Sequence, residues 1–189
     1  MTDFLFFKPF KLEQFKQKDK YVIPQDMVIL GDWKPQLPVE VQGYLKVYGD
    51  LRVEGGSLNV SNYIFTEFGC FAKGDIKSGA WINSGDSVVS EEGDILANND
   101  IRTTGNLIAG GGDITTGEGF GIFACGRIEA KNSINNGAKV FAGVATWDDA
   151  NPQKDASIKA KNIKKEDEVA HGEVELEGAK TKKSSKVKK

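Results

Sequence analysis

The chain has very little of what metal centres and disulfide scaffolds are made from. A single histidine, His171, excludes a His-rich metal site, and two cysteines as distant as Cys70 and Cys125 cannot form a Cys-x-x-Cys framework. Only five prolines occur, and no Gly-X-Y period accompanies the 22 glycines, so a collagen-like chain is excluded. No apolar run approaches the ~18 residues of a membrane-spanning helix. Phe4-Leu5-Phe6-Phe7 is too short and wrongly flanked for the apolar region of a signal peptide. These absences lead to the expectation of a cytoplasmic protein with no membrane span. What is present is an apolar fraction of 39%, low but concentrated rather than spread, within a one-domain length of 189 residues.

The net charge of −2 conceals a polarised chain. Residues 1–40 are balanced, residues 41–157 carry nine basic and fifteen acidic side chains, and residues 158–189 carry ten basic and six acidic. An acidic middle argues against a nucleic-acid partner for that part and suits a basic protein surface.

A repeat runs through the middle. Gly74-Asp75-Ile76, Gly93-Asp94-Ile95 and Gly112-Asp113-Ile114 recur every 19 residues, with Gly49-Asp50-Leu51 before them and Gly126-Arg127-Ile128 after. Large apolar residues fall about every six, from Val39, Leu45 and Leu51 through Ile76, Ile82, Val88, Ile95, Ile101 and Leu107 to Ile114, Phe120, Ile128, Ile134 and Val140. Two positions after nearly every one lies a smaller residue such as Ser78, Ser84, Ser90, Ala97, Thr103 or Ala109, the period of a strand with one buried face. Three very short strands per 19 residues, separated by Gly, Asn and Asp turns, exclude a sandwich of ordinary strands. An up-and-down barrel would not explain the 19-residue spacing. The pattern predicts an all-β fold, a single-stranded three-sided β-helix of about six coils spanning residues 39–170.

The ends depart from it. Residues 1–38, with Phe4, Phe6, Phe7, Phe10, Leu12 and Phe15, read as a non-repeat capping segment carrying a short helix interrupted at Pro9. Such a segment would cover the strand edge that a solenoid exposes. The period breaks from Trp147 to Pro152 and resumes weakly at Ile158 and Ile163. Residues 171–189, rich in Lys and Glu, are expected to be a disordered tail.

Chemistry finds little footing in this pattern. The hexad period is similar to that of the left-handed β-helix acyltransferases, whose small residue lies four positions after the aliphatic one and whose general base is a surface histidine. Here that position holds Asp86, Glu92, Asn99 or Glu118, and His171 lies beyond the repeat. Polysaccharide-cleaving β-helices need a long groove lined by carboxylates and aromatic platforms, which brief strands on a short rod do not supply. Gly110-Gly111-Gly112 lacks the Lys-Ser/Thr and helix of a phosphate loop. The expectation is a protein that is not an enzyme and takes no cofactor.

Two features stand as candidate binding residues. Asp75, Asp94 and Asp113 are equivalent in successive coils and should form a column, readable as an acidic ridge for a basic partner, a calcium site, or turn chemistry in which each Asp caps its corner. On one side of the prism the outward residues read Arg52, Phe71, Val89, Ile108, Glu129, so Phe71, Val89 and Ile108 form an apolar stripe. It would either be covered by the N-terminal Phe-rich segment or bind a partner chain or a second copy.

The Gly-Asp-Ile/Leu coils with a small residue two positions on, as in Gly93-Asp94-Ile95-Leu96-Ala97 and Gly49-Asp50-Leu51-Arg52-Val53, resemble the bactofilins across residues 41–144. The resemblance implies a three-sided β-helix of a bacterial cytoskeletal family that polymerises end to end. This chain differs in its long hydrophobic N-terminal segment, its Asn-rich coils and a two-residue insertion near Phe120. Two functional expectations follow: a non-catalytic protein-binding solenoid of the inhibitor or toxin-immunity kind, and a filament subunit.

Overall fold

Alternation of one large and one small inward residue per three-residue strand leaves room for a narrow triangular interior, and the chain folds accordingly. The computed structural model describes residues 5–7, 9–143 and 156–177. They form a three-sided β-solenoid of about eight turns, with no α-helix. In every turn the chain visits three parallel sheets, which we call faces B, A and C. The central strands are Ile76–Ser78, Ile95–Ala97 and Ile114–Thr116 on face B, Ile82–Ser84 and Ile101–Thr103 on face A, and Cys70–Ala72, Val88–Ser90 and Leu107–Ala109 on face C. At one strand spacing of ~4.8 Å per turn the rod is roughly 35 Å long.

The register stacks like on like. Ile76 pairs with Ile95, Ile95 with Ile114 and Ile114 with Ile134, and all four are fully buried. Each such side chain removed from water contributes about 1.5–3 kcal/mol. The second inward position often carries a hydroxyl, and these buried groups find partners in the corners. Ser78 Oγ donates to the Asn62 carbonyl at 2.7 Å and Ser90 Oγ to that of Gly74 at 2.9 Å. Thr66 and Ser84 bond each other at 2.9 Å, and Ser84 donates to the Phe68 carbonyl at 2.6 Å. Where the corners of successive turns lie directly over one another, a Cβ has no room: one on Gly79 would collide with the Ser61 carbonyl, and one on Gly137 with that of Gly117.

Several boundaries differ from expectation. The solenoid starts at Lys20, because Lys20–Ile23 pairs in parallel with Val39–Val41, Met27–Leu30 with Leu45–Tyr48, and Trp33 bridges to Leu51. Residues 20–38 are therefore a complete first turn, and eight turns replace the six expected. The cap is shorter: Leu5–Phe7 adds a strand to face A, a 3-10 helix runs Pro9–Phe15, and Lys16–Gln17 folds back antiparallel on face B. Pro9 opens that helix rather than interrupting it, since a first helical residue needs no N–H donor. Leu12 is buried beneath the cap.

The insertion lies in the turn between Ile114–Thr116 and Ile122–Ala124, where Gly119 takes a φ of 81°. Phe120 is thereby displaced outward, 37% exposed, and Ile122 takes the inward position instead. At the other end, the expected disordered tail is corrected for residues 171–177. Glu173–Leu176 pairs in parallel with Ser157–Ala160, and Val174 and Leu176 pack against the core. The charged residues of that strand alternate with apolar ones, so its composition hid a half-buried period. The break from Trp147 to Pro152 and the Lys-rich stretch from Lys180 lie outside the described residues. No helix among the described residues is long and apolar enough to cross a membrane.

Two outcomes are expected. Replacing Ile82, fully buried, by Asp strands a charge in the apolar interior and should abolish the cooperative melt followed by circular dichroism, whereas Asn83→Asp, one residue along and exposed, should leave it within a degree or two. Truncation after His171 should lower Tm by roughly 3 °C or more, because it removes the Val174 and Leu176 contacts.

Candidate functional site

The three corners of each turn position everything on the outer surface. At the corner leading into face B, Asp75 Oδ1 accepts the Asp94 N–H at 2.9 Å, Asp94 Oδ1 that of Asp113 at 2.8 Å, and Asp113 Oδ1 that of Ser133 at 2.9 Å. The preceding glycines make this possible, since a Cβ on Gly93 would collide with the Asp75 carboxylate and one on Gly112 with that of Asp94. Gly-Asp is thus one device: the Gly clears space and the Asp of the turn below fills it. The column Asp75, Asp94, Asp113 exists as expected, and its Oδ1 atoms are spent on the backbone. Lys77 bonds the second oxygen of Asp75 at 2.5 Å and holds its carboxyl below the usual range. Among the described residues no group of three or more His, Cys, Asp and Glu side chains could hold a metal ion.

The other corners use the same chemistry with different residues. Asp50 accepts from the Gly69 N–H at 2.8 Å, Asp100 from Gly121 at 2.8 Å and Asn106 from Arg127 at 3.0 Å. Leading into face A the polar ladder gives way to stacked rings. Tyr44 and Tyr63 lie 4.8 Å apart and Tyr63 and Trp81 4.2 Å apart, nearly parallel in both cases. The Lys46 ammonium sits 5.3 and 5.6 Å from the two tyrosine centroids, and its bond with the Tyr63 hydroxyl raises it above the ordinary lysine value. The ring faces are turned toward one another, so the stack is a continuation of the ladder rather than an open platform.

Face C carries the expected stripe. Arg52, Phe71, Val89, Ile108 and Glu129 are in register on successive turns, and the three apolar side chains are half-buried. The Arg52 guanidinium lies 4.7 Å from the Phe71 ring centroid. The described N-terminal strands sit on the end edges of faces A and B, and the 3-10 helix packs against Lys20–Ile23 and Leu5–Phe7.

Sequence reasoning missed the rest of this surface. Leu30, Tyr48 and Phe68, exposed by 63%, 43% and 52%, lie at the corner between faces A and C. Leu30 pairs with Tyr48, whose ring lies 5.9 Å from that of Phe65, and the Phe68 N–H donates to the Gly49 carbonyl beside Tyr48. The apolar surface therefore turns the corner from face A and continues through Phe71 to Ile108. A signal existed: the same corner in later turns holds Gly85-Asp86, Thr104-Gly105 and Cys125-Gly126, so a large apolar residue there is out of place.

On face A the outward neighbour of Arg102 is Phe123, because Ile122 and not Phe120 takes the inward position. Phe123 is fully buried, stacked on Phe141 at 5.3 Å and beneath the Arg102 guanidinium. His171 belongs to the last turn rather than to an exposed tail, with Nδ1 against the Ala142 carbonyl. Cys70 points inward, and burial pushes its thiol up to about 12, which makes it chemically inert. Cys125 lies in the corner after Ile122–Ala124.

No protein-family model matches the chain, and no curated protein or solved structure matches it.

The ladder gives a direct expectation. Asp94→Asn keeps an oxygen for the Asp113 N–H and should change stability by less than about 0.5 kcal/mol, while Asp94→Ala should cost about 1–2 kcal/mol in urea denaturation.

Proposed function

We propose that the chain is a non-catalytic protein-binding β-solenoid, of the kind that small bacterial inhibitors and toxin-immunity proteins use, and that it engages its partner through face C and the adjoining corner. The observation that carries this reading is the continuity of the apolar surface from Leu30 and Tyr48 through Phe68 and Phe71 to Val89 and Ile108. A contiguous exposed apolar surface on a well-packed rod marks a place where something docks. Burying these side chains would supply several kcal/mol at ~25 cal/mol per Å² before the costs of association. The acidic balance of residues 41–157 adds long-range attraction for a basic partner.

A second reading has one observation in its favour. At the C-terminal end Glu173–Leu176 is the last strand of face C among the described residues, and an open edge is what end-to-end growth of a bactofilin-like filament would use. At the N-terminal end, however, the first turn's edges on faces A and B are already paired. The strands that end faces A and B there are the short Leu5–Phe7 and the antiparallel Lys16–Gln17, an irregular end that does not match the parallel Glu173–Leu176 edge, so the binding role is preferred.

The Val89→Lys, Ile108→Glu double variant separates these readings. A partner recovered from the native cell, identified and purified, should bind the wild type and fail to bind the variant, with the variant's thermal melt unchanged. Equal binding by the variant would remove face C from the function. Filaments of the wild type under negative-stain electron microscopy would transfer the assignment to the second reading.

A further inference from the structure

The outward column of face C is self-complementary when reversed. From Arg52 to Glu129 it reads cation, aromatic, aliphatic, aliphatic, anion, with Val89 at the centre. We propose that this face docks a second copy of the chain, the two rods lying antiparallel about a two-fold axis that passes through Val89. This rests on the reading of face C as a binding surface and names its partner.

Two ways of placing identical faces together satisfy a two-fold axis, and charge distinguishes them. With rods parallel, Arg52 would meet Arg52 and Glu129 would meet Glu129. With rods antiparallel, Arg52 meets Glu129 at both ends, Phe71 meets Ile108 and Val89 meets Val89. Like charges in direct opposition are penalised and opposite charges set the register. Each end charge has only surface partners that an opposing charge can displace: Arg52 lies over the Phe71 ring at 4.7 Å and 4.0 Å from Glu91, and Glu129 is 3.4 Å from Arg127.

The same two-fold axis sets what the flanking rings meet. Equal lateral position is preserved in the antiparallel arrangement, so the protruding Phe68 faces the Thr104-Gly105 corner of the second copy and Tyr48 faces Cys125-Gly126. One step further out, Lys34 and Lys159 come together as like charges, an opposition that Glu177, 3.4 Å from Lys159, offsets.

The test uses the full chain, with mass measured by light scattering during size exclusion at high micromolar concentration. The wild type should run as a dimer. Arg52→Glu and Glu129→Arg, each alone, place like charges at both ends and should weaken dimerisation about tenfold or more, with thermal melts confirming that both remain folded. An equimolar mixture of the two variants restores an opposite pair at each end and should regain the dimer as a mixed species. A monomeric wild type, dimers insensitive to either reversal, or a mixture that fails to recover would each overturn the proposal. A monomeric wild type that still loses a foreign partner through Val89→Lys, Ile108→Glu would sink the self-pairing alone; if that variant alters no interaction of any kind, the reading of face C falls as well.

Discussion

Everything in this molecule depends on one constraint: the backbone must pair with itself at a single strand spacing along the rod, in the corners as well as on the faces. Strands meet that condition easily, because parallel ladders satisfy their own N–H and C=O groups. Corners do not, since a turning chain aims some groups away from the ladder, and a buried unpaired amide costs about 1–3 kcal/mol. The Asp75, Asp94, Asp113 column solves this by taking the orphaned N–H of the turn above, and Ser78, Ser84 and Ser90 return hydroxyls to corner carbonyls. Glycine is the second half of the solution, chosen at Gly93 and Gly112 for absence of bulk.

The same constraint decides where variety is allowed. Inward positions are restricted to an aliphatic residue and a small one by the narrow interior, and corners are restricted to residues that cap or stack. The outward position of each strand is bound by neither, so individuality collects there: Arg102 over Phe123 on face A, and the apolar column of face C. An apolar surface in that freely variable position is not demanded by the fold. The proposed binding role rests on it, whereas the Asp75, Asp94, Asp113 column has a structural part in capping the backbone.

A solenoid must also end. The N-terminal side does so with three unlike pieces: an added strand, a 3-10 helix that buries Leu12, and an antiparallel fold-back at Lys16–Gln17. Antiparallel pairing breaks the parallel progression and so stops further turns from adding on face B. On face C the extended segment at Trp33 takes the first position, and Pro35 offers no N–H to a further strand.

The sequence by itself determined the cross-section. An aliphatic residue every six, a small one two positions on, and Gly-Asp every nineteen specify short strands, three sides and a polar ladder at the corner, because each rule is a local consequence of strand alternation and turn sterics. Ile95-Leu96-Ala97 could be oriented correctly from these alone. What only the tertiary structure decided was extent, register at the insertion, and surface. The first turn at Tyr21, Met27 and Trp33 follows the hexad and carries its own Gly31-Asp32 pair, with Asp32 Oδ1 accepting the Asp50 N–H at 2.9 Å, but the Phe-rich run before it made residues 1–38 read as one non-repeat cap; the pairing with Val39, Leu45 and Leu51 reveals the turn. Phe120 and Ile122 compete for one inward place, and the φ of 81° at Gly119 settles the choice for Ile122. Leu30, Tyr48 and Phe68 obey no strand alternation, and they join Phe71 into one surface because turns far apart in sequence are stacked at a single strand spacing.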